Sequence, residues 1–544
     1  MADRRTDPGY LPPMTWDKWG AGSPAAAAPV KRARRVILLV AVPVLVCKLW
    51  LAANTLGSTD ILFWGDFVDW ERQHGPVGIY AVTSGPLYNH PPLVGYYLWV
   101  VNLLQSAGIP YRFTIRAVSS LADVGSAYVV FALLRRRRSL REATWAAASV
   151  AASPVLFWVA GFHGNTDPVF TFLTFLALWV LIDGRRPGLA GAVIAAAVGV
   201  KIIPMVVIPA LAVYAWRTRR VDFYRFVGLT GVVLVLTWGP ALIGQFHAVL
   251  HDVIGYAGTG PSAWGILQLG HWVGDPWWVR FLAGPGRSLS VVIAAVVPAI
   301  AVWRRPVTVL PAVAWSLITF LVLAVSFGVQ YSVWPLLACY IIGFGWATVY
   351  NIAGGVVLTR IYHYWGHFAR VAPPENFPFL AYQSIARPWT PRDVVDLMVL
   401  WVILVIIWIR GTMEIFPGVR ARFRRRSLAE RTGPRHGRSP DVSRRILEAD
   451  PAAAHAVPHG SEPSQTRRGL PNGSRPREPD ADADRRPRLG SRGSASPPAG
   501  HELARRHRER GRAVRRPSNP APGSGAVLGR WLRLADRRAR HERL

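Results

Sequence analysis

Charge is scarce in this sequence. Of its 544 residues only 17% are Asp, Glu, Lys or Arg, while 51% are hydrophobic. A chain of that length could make several soluble domains. The placement of the apolar residues excludes this, because they form runs of about 15 to 22 residues with almost no charge inside, the length that crosses ~30 Å of hydrocarbon. Acidic residues are the scarcer sign, 31 against 63 basic, for a net charge of +32. Nucleic acid is not the expected partner. The positive charge sits in short clusters between apolar runs and in the C-terminal tail, as membrane topology and a solvated tail require. The two cysteines, Cys47 and Cys339, both lie inside apolar runs. They offer no metal-ligand spacing and say nothing of redox compartment. No Gly-rich phosphate loop is present, so a nucleotide pocket of that type is excluded. No internal repeat is visible, which counts against a transporter built from inverted halves. Lysine is sparse beside arginine, and Lys201 is the last one.

What is present reads as an all-α, polytopic transmembrane protein of about 10–12 spans. Trp50, Trp99, Trp158, Trp216, Trp238, Trp303 and Trp334 stand at run ends, as an aromatic belt would. Residues 1–35 end in Lys31-Arg32-Ala33-Arg34-Arg35 and form an N-terminal segment expected in the cytoplasm. Residues 36–410 form the transmembrane domain, and its first outer loop covers 57–112. Within that loop Leu93 to Leu104 is expected to lie in the interface, opened by Pro91-Pro92. Were it a span, Arg135-Arg136-Arg137-Arg138 would fall outside. The run from Leu189 to Trp216 has basic residues at both ends, so it must split into two short helices, meeting near Lys201 and Pro204. Pro335 to about Ile352 reads as one inward pass and Asp396 to Ile409 as one more. Counting passes then puts the tail outside, whereas its charge puts it inside. A re-entrant helix near Gly354-Gly355 is one way to reconcile them. Residues 411–544, rich in Arg, Pro, Gly, Ser and Asp, cannot bury a core and are expected to be a disordered basic tail.

Four polar elements converge on one side of this alternation. They are the first loop with Asp66 and Asp69, the turn with His163, Asn165 and Asp167, the helix break at Lys201, and the turn with Gln330 and Tyr331. Ionisable groups at membrane depth are costly and usually face a cavity. Each also has a plainer reading: Asp66 and Asp167 as helix caps, Lys201 snorkelling to the interface, Gln330 and Tyr331 as a belt turn.

These elements resemble the multi-spanning GT-C glycosyltransferases, which use polyprenyl-phosphate sugars. Gly65-Asp66-Phe67 with Asp69 is similar to the acidic position of that family's first outer loop. Asn89-His90-Pro91-Pro92-Leu93 resembles the segment opening its interfacial helix, most like the protein-mannosylating and lipid-linked-oligosaccharide branches. Gly161-Phe162-His163-Gly164-Asn165-Thr166-Asp167 is similar to its second outer turn, Val200-Lys201-Ile202-Ile203-Pro204 to its Lys and Pro, and Gln330-Tyr331-Ser332-Val333-Trp334-Pro335 to its late Gln-Tyr-x-x-Trp element. The resemblance runs from about Val36 to Ile352.

It implies an inverting transfer of a hexose, mannose first, from a polyprenyl-phosphate donor to a lipid or glycan acceptor, at the outer face of what the Arg-, Ala- and Gly-rich composition suggests is a bacterial inner membrane. Asp66 or Asp69 would be the catalytic base. Lys201, with Arg112 or Arg116 assisting, would face the leaving phosphate. His90, His163, Asn165, Asp167, Gln330 and Tyr331 would contact substrate. No cofactor is expected, although Asp66 with Asp167 could hold a divalent cation, as some relatives do. The rival readings are a lipid or sugar transporter or flippase, and a surface-polysaccharide polymerase or ligase leaning on Arg280 and Arg287.

Overall fold

The computed structural model describes residues 24–83, 85–256, 264–371 and 390–418. The expectation of a disordered tail beyond residue 418, and most of the N-terminal segment, lie outside the described residues. Those described are helical, with no strand among them. The long apolar helices are α1 (Pro24–Asn54), α4 (Tyr111–Leu134), α10 (Arg220–Gly244), α14 (Arg287–Arg304) and α18 (Pro391–Ile415). A sixth candidate span, Leu140–His163, is built from α5 (Leu140–Ala151), α6 (Pro154–Trp158) and a π-helical turn, Val159–His163. Shorter apolar helices accompany them: α7 (Asp167–Ile182), α8 (Pro187–Val200), α9 (Ile208–Thr218), α15 (Val309–Val322) and α16 (Leu336–Ile342). The chain is an all-α polytopic membrane protein.

Between α1 and α4 the expected outer loop is itself helical. It holds α2 (Thr59–Gly78) and α3 (Pro92–Ser106). Pro91-Pro92 starts α3, since proline at the first helical position loses no hydrogen bond that would otherwise form. One side of α3 buries Val94, Leu98, Val101 and Asn102, and the other leaves Trp99, Val100 and Leu103 exposed. It packs on α2, α4 and α8.

The run from Leu189 to Trp216 breaks where the sequence requires. α8 ends at Val200, Lys201 is extended (φ −150°, ψ 142°), and a 3₁₀ turn at Ile203–Val207 leads into α9.

Two ends of the bundle differ in chemistry. The basic end carries Arg135 to Arg138, with Arg136 and Arg137 paired to Asp183 at 3.7 and 3.4 Å. Arg34, near the start of α1, lies within electrostatic reach of Arg135. The opposite end carries α2, α3 and the turns at 163–167, 201–203 and 329–333.

The expected single pass over Pro335 to Ile352 is two passes. α16 stops at Ile342, Gly343 is extended, and α17 (Phe344–Val371) turns back. Asn351 of α17 accepts from Ser153 Oγ at 2.6 Å, and Tyr362 further along meets the His163 ring at 5.6 Å. The turn is thus at Gly343, not at Gly354-Gly355. It was hidden because the apolar run continues through it without a charge. α18 then returns to the basic end, where Glu414 pairs with Arg138 at 3.5 Å. This resolves the parity conflict: residue 418 leaves the membrane at the end that holds the arginine clusters.

Candidate active site

The site is built around Asp60, in the first turn of α2. Ser58 is the N-cap of that helix. Its Oγ accepts from the Asp60 N–H at 3.2 Å and donates to the His163 carbonyl at 2.8 Å. One hydroxyl thus starts α2 and ties it to the turn after the π-helix. Two glycines permit the close approach. Gly57 (φ +88°) faces the Phe162 carbonyl, where a Cβ would come within 2.8 Å. Gly164 (φ +78°) lies against Ile61, where a Cβ would come within 2.1 Å. Both carry left-handed backbone that glycine adopts without steric cost.

The Asp60 carboxylate is held on one side. Oδ2 lies 2.9 Å from His163 Nε2 and accepts from Asn165 Nδ2 at 3.0 Å. The turn beneath is fixed in turn, because Ser119 of α4 donates to the Asn165 carbonyl at 2.6 Å. Burial would raise the Asp60 carboxyl. The charge and hydrogen bond of His163, the bond from Asn165 and the charge of Lys201 outweigh it and hold the group below the usual carboxylate value.

Beside Asp60 lies a second charged pair. Lys201 Nζ stands 2.9 Å from Asp167 Oδ1, and Asp167 Oδ2 accepts from Trp334 Nε1 at 2.8 Å. Asp167 opens α7, whose N-terminal dipole favours its charge. The ammonium also faces the rings of Tyr331 and Trp334, at 5.6 and 5.7 Å from their centroids. Those two rings stack at 3.9 Å, and Tyr350 of α17 holds their turn by donating to the Ser332 carbonyl at 3.0 Å.

His90 closes the third side. It stacks on Trp64 at 4.5 Å, and its carbonyl accepts from Tyr80 OH at 2.7 Å. Burial, with Lys201 nearby, pushes its imidazole down to about 3, so the ring is neutral. Its Nδ1 is buried with no hydrogen-bond partner. Tyr256 lies within electrostatic reach of Asp60 and bonds Asn89.

The structure therefore gathers His90, His163, Asn165, Asp167, Lys201 and Tyr331. Gln330 is half-buried and lies against Gly328 of its own turn. Asp66 and Asp69 stand outside the cluster, both exposed on α2, and Asp69 pairs with Arg72 at 3.6 Å. Slight burial and the nearby Asp69 raise the Asp66 carboxyl. The physical reason for this placement is helical pitch: residues six and nine positions past Asp60 start a different turn and sit about 9 and 14 Å further along the axis. Arg116, read as a helper at the phosphate, is fully buried behind Gly57 and Gly164. Four of its N–H donors go to Arg112 O, Thr55 Oγ1, Ala52 O and Thr55 O, which closes the carbonyl end of α1. The sequence reading passed over Asp60, Tyr256 and Tyr362. The trace of Asp60 in the sequence is Gly57-Ser58-Thr59-Asp60, a helix start with an acid in the first turn, which marks the helix and does not single out the carboxylate. Among the described residues no group of three or more His, Cys, Asp or Glu is arranged to hold a metal.

Residues 89–243 match the family model described as dolichyl-phosphate-mannose-protein mannosyltransferase. The matched stretch takes in His90, the 163–167 turn and Lys201, and leaves out Asp60 and the 329–334 turn. No curated protein matches the chain. Together with the all-helical membrane fold, the match supports a glycosyltransferase of the GT-C superfamily, mannosyltransferase-like in this region.

Proposed function

We propose that the chain transfers a hexose, mannose first, from a polyprenyl-phosphate donor to the hydroxyl of a lipid or glycan acceptor, and that Asp60 is the general base. The observation that carries this reading is the one-sided hold on Asp60. His163 and Asn165 occupy Oδ2. Oδ1 is thereby left for an incoming hydroxyl, within the hydrogen-bond reach that a base needs. The acceptor oxygen attacks the anomeric carbon as its proton passes to Oδ1. The bond from that carbon to the phosphate oxygen breaks, and the polyprenyl phosphate leaves with one more negative charge. Lys201, aimed by Asp167 and its indole partner, offsets that charge. One displacement with one base inverts the sugar. His90, a neutral ring with a buried open nitrogen, is suited to a sugar hydroxyl. Tyr331 gives the donor an aromatic wall.

The lipid-borne donor brings its sugar to the membrane surface, which agrees with a site at one end of the bundle rather than at its midplane. By the positive-inside rule the basic end faces the cytoplasm, so the site faces outward. A bacterial inner membrane is the setting that the composition suggests. The test is transfer of labelled mannose from polyprenyl-phosphate mannose in membranes carrying the intact chain, Asp60→Asn or Asp66→Asn. The expected result is loss of transfer with Asp60→Asn and its retention with Asp66→Asn. The reverse pattern returns the role of base to Asp66. No transfer by the intact chain from mannosyl, glucosyl or arabinosyl donors overturns the reading.

A further inference from the structure

At the basic end, far from Asp60, a crevice of about 370 Å³ opens where the last turns of α14 and α18 meet. Its floor is apolar: Ala301 and Ile415 are buried and Phe416 is half-buried. Its rim carries Arg304 and Arg305, both exposed. Neither arginine has a carboxylate partner among the described residues. Glu414, the acid next to Ile415 of the crevice, is turned to Arg138. The arginines also stand on a rigid corner. Pro306 follows them, and the Arg305 carbonyl accepts from both Thr308 N–H at 2.9 Å and Thr308 Oγ1 at 2.7 Å. Arg217, in the last turn of α9, lies over the Trp303 ring at 5.6 Å and is already engaged.

A second observation comes from the sequence. Gly418 lines the crevice, and the residues that follow it are Val-Arg-Ala-Arg-Phe-Arg-Arg-Arg. Arg420, Arg422, Arg424, Arg425 and Arg426 thus begin at this point. Four or more basic residues directly after a final span are what anionic headgroups attract.

We propose that the crevice is a binding site for an anionic phospholipid of the bilayer. The phosphate lies between Arg304 and Arg305, and the glycerol and upper acyl chain lie on Ala301, Ile415 and Phe416. The site is separate from the catalytic reading and does not depend on it. Planar guanidinium groups suit the task because each can donate two parallel bonds to phosphate oxygens.

The test uses the full chain purified in a neutral detergent and titrated with phosphatidylglycerol or with phosphatidylcholine, bound lipid being counted by native mass spectrometry. The variants are Arg304→Gln with Arg305→Gln, and, as a control at the same end, Arg185→Gln with Arg186→Gln. The expected result is saturable binding of phosphatidylglycerol, weakened about tenfold or more in the first variant and unchanged in the control. Phosphatidylcholine binds no better to the intact chain than to the variant, and millimolar inorganic phosphate does not displace the lipid. The proposal is overturned if both variants bind alike, if phosphatidylcholine binds as tightly, or if free phosphate competes, the last marking an anion site with no lipid requirement.

Discussion

At the scale of single residues the chemistry reduces to which oxygen is held and which is free. Removing the Asp60 charge with Asp60→Asn should lower transfer about 10²- to 10⁴-fold, the range of a lost general base. A different residue tests the leaving-group side. Trp334→Phe keeps the ring stack on Tyr331 but deletes the donor to Asp167 Oδ2. A buried acceptor without its partner costs about 1–3 kcal/mol. The expected outcome is a lower midpoint of thermal unfolding together with a fall in kcat larger than any rise in KM; an unchanged kcat would show that Asp167 keeps Lys201 in place unaided. His90 gives a pH signature. Its folded value, about 3, lies below the ordinary 6.5. On acidification the unfolded chain takes up this proton first, so stability is lost as pH falls from about 6.5 toward 3. The lowered Asp60 adds to the same side, its contribution being present above the unfolded value and lost as pH falls through the folded one. His90→Gln should therefore flatten the fall of the unfolding midpoint between about pH 7 and 4. An identical slope in both proteins would mean that the histidine does not carry it.

At the scale of elements, the approach of α2 to the π-helical turn decides whether Asp60 meets His163. Gly164→Ala adds a methyl group where Ile61 already stands and forces a left-handed backbone on alanine. Transfer should drop sharply while the protein still inserts and elutes on size exclusion where the parent chain does. Normal activity in that variant would mean that the two elements can separate without harm. Lys48 of α1 and Asp123 of α4, both buried and 2.6 Å apart, brace the same turn from below, because Gly161 packs on the lysine stem. Lys48→Met leaves Asp123 without its partner, at a cost of about 3–5 kcal/mol, whereas Lys48→Met with Asp123→Leu should recover most of the loss. Much of this level was legible in the sequence. The split of Leu189 to Trp216 follows from basic residues at both ends, and the start of α3 follows from two prolines. Asp60 was not, because a carboxylate after Ser58 in a first turn has the pattern of any helix start. Only its long-range partners, more than a hundred residues away, distinguish it. The Gly343 turn was equally silent, since an apolar run can double back without a change in composition.

At the scale of the whole molecule, charge counting and pass counting disagree until α17 is included. Reporters of membrane sidedness placed after Gly418 and within Arg135–Arg138 should read the same side, and one placed at Gly85 the opposite side. A reporter after Gly418 that agrees with Gly85 would contradict the path of α17 and α18. The bend at Lys201 has a further consequence, which concerns the bilayer itself. α8 has 14 residues. At 1.5 Å per residue it rises only ~21 Å, against ~30 Å of hydrocarbon. Starting from the basic end, α8 covers about two thirds of that thickness, and Lys201 follows directly after its last residue. Because α8 is buried among its neighbours, the expected consequence is a recess open to water and not a gap closed by lipid. On the proposed reading solvent would meet the donor below the headgroups, and the transfer rate should change with bilayer thickness; equal rates in thin and thick bilayers would count against such a recess.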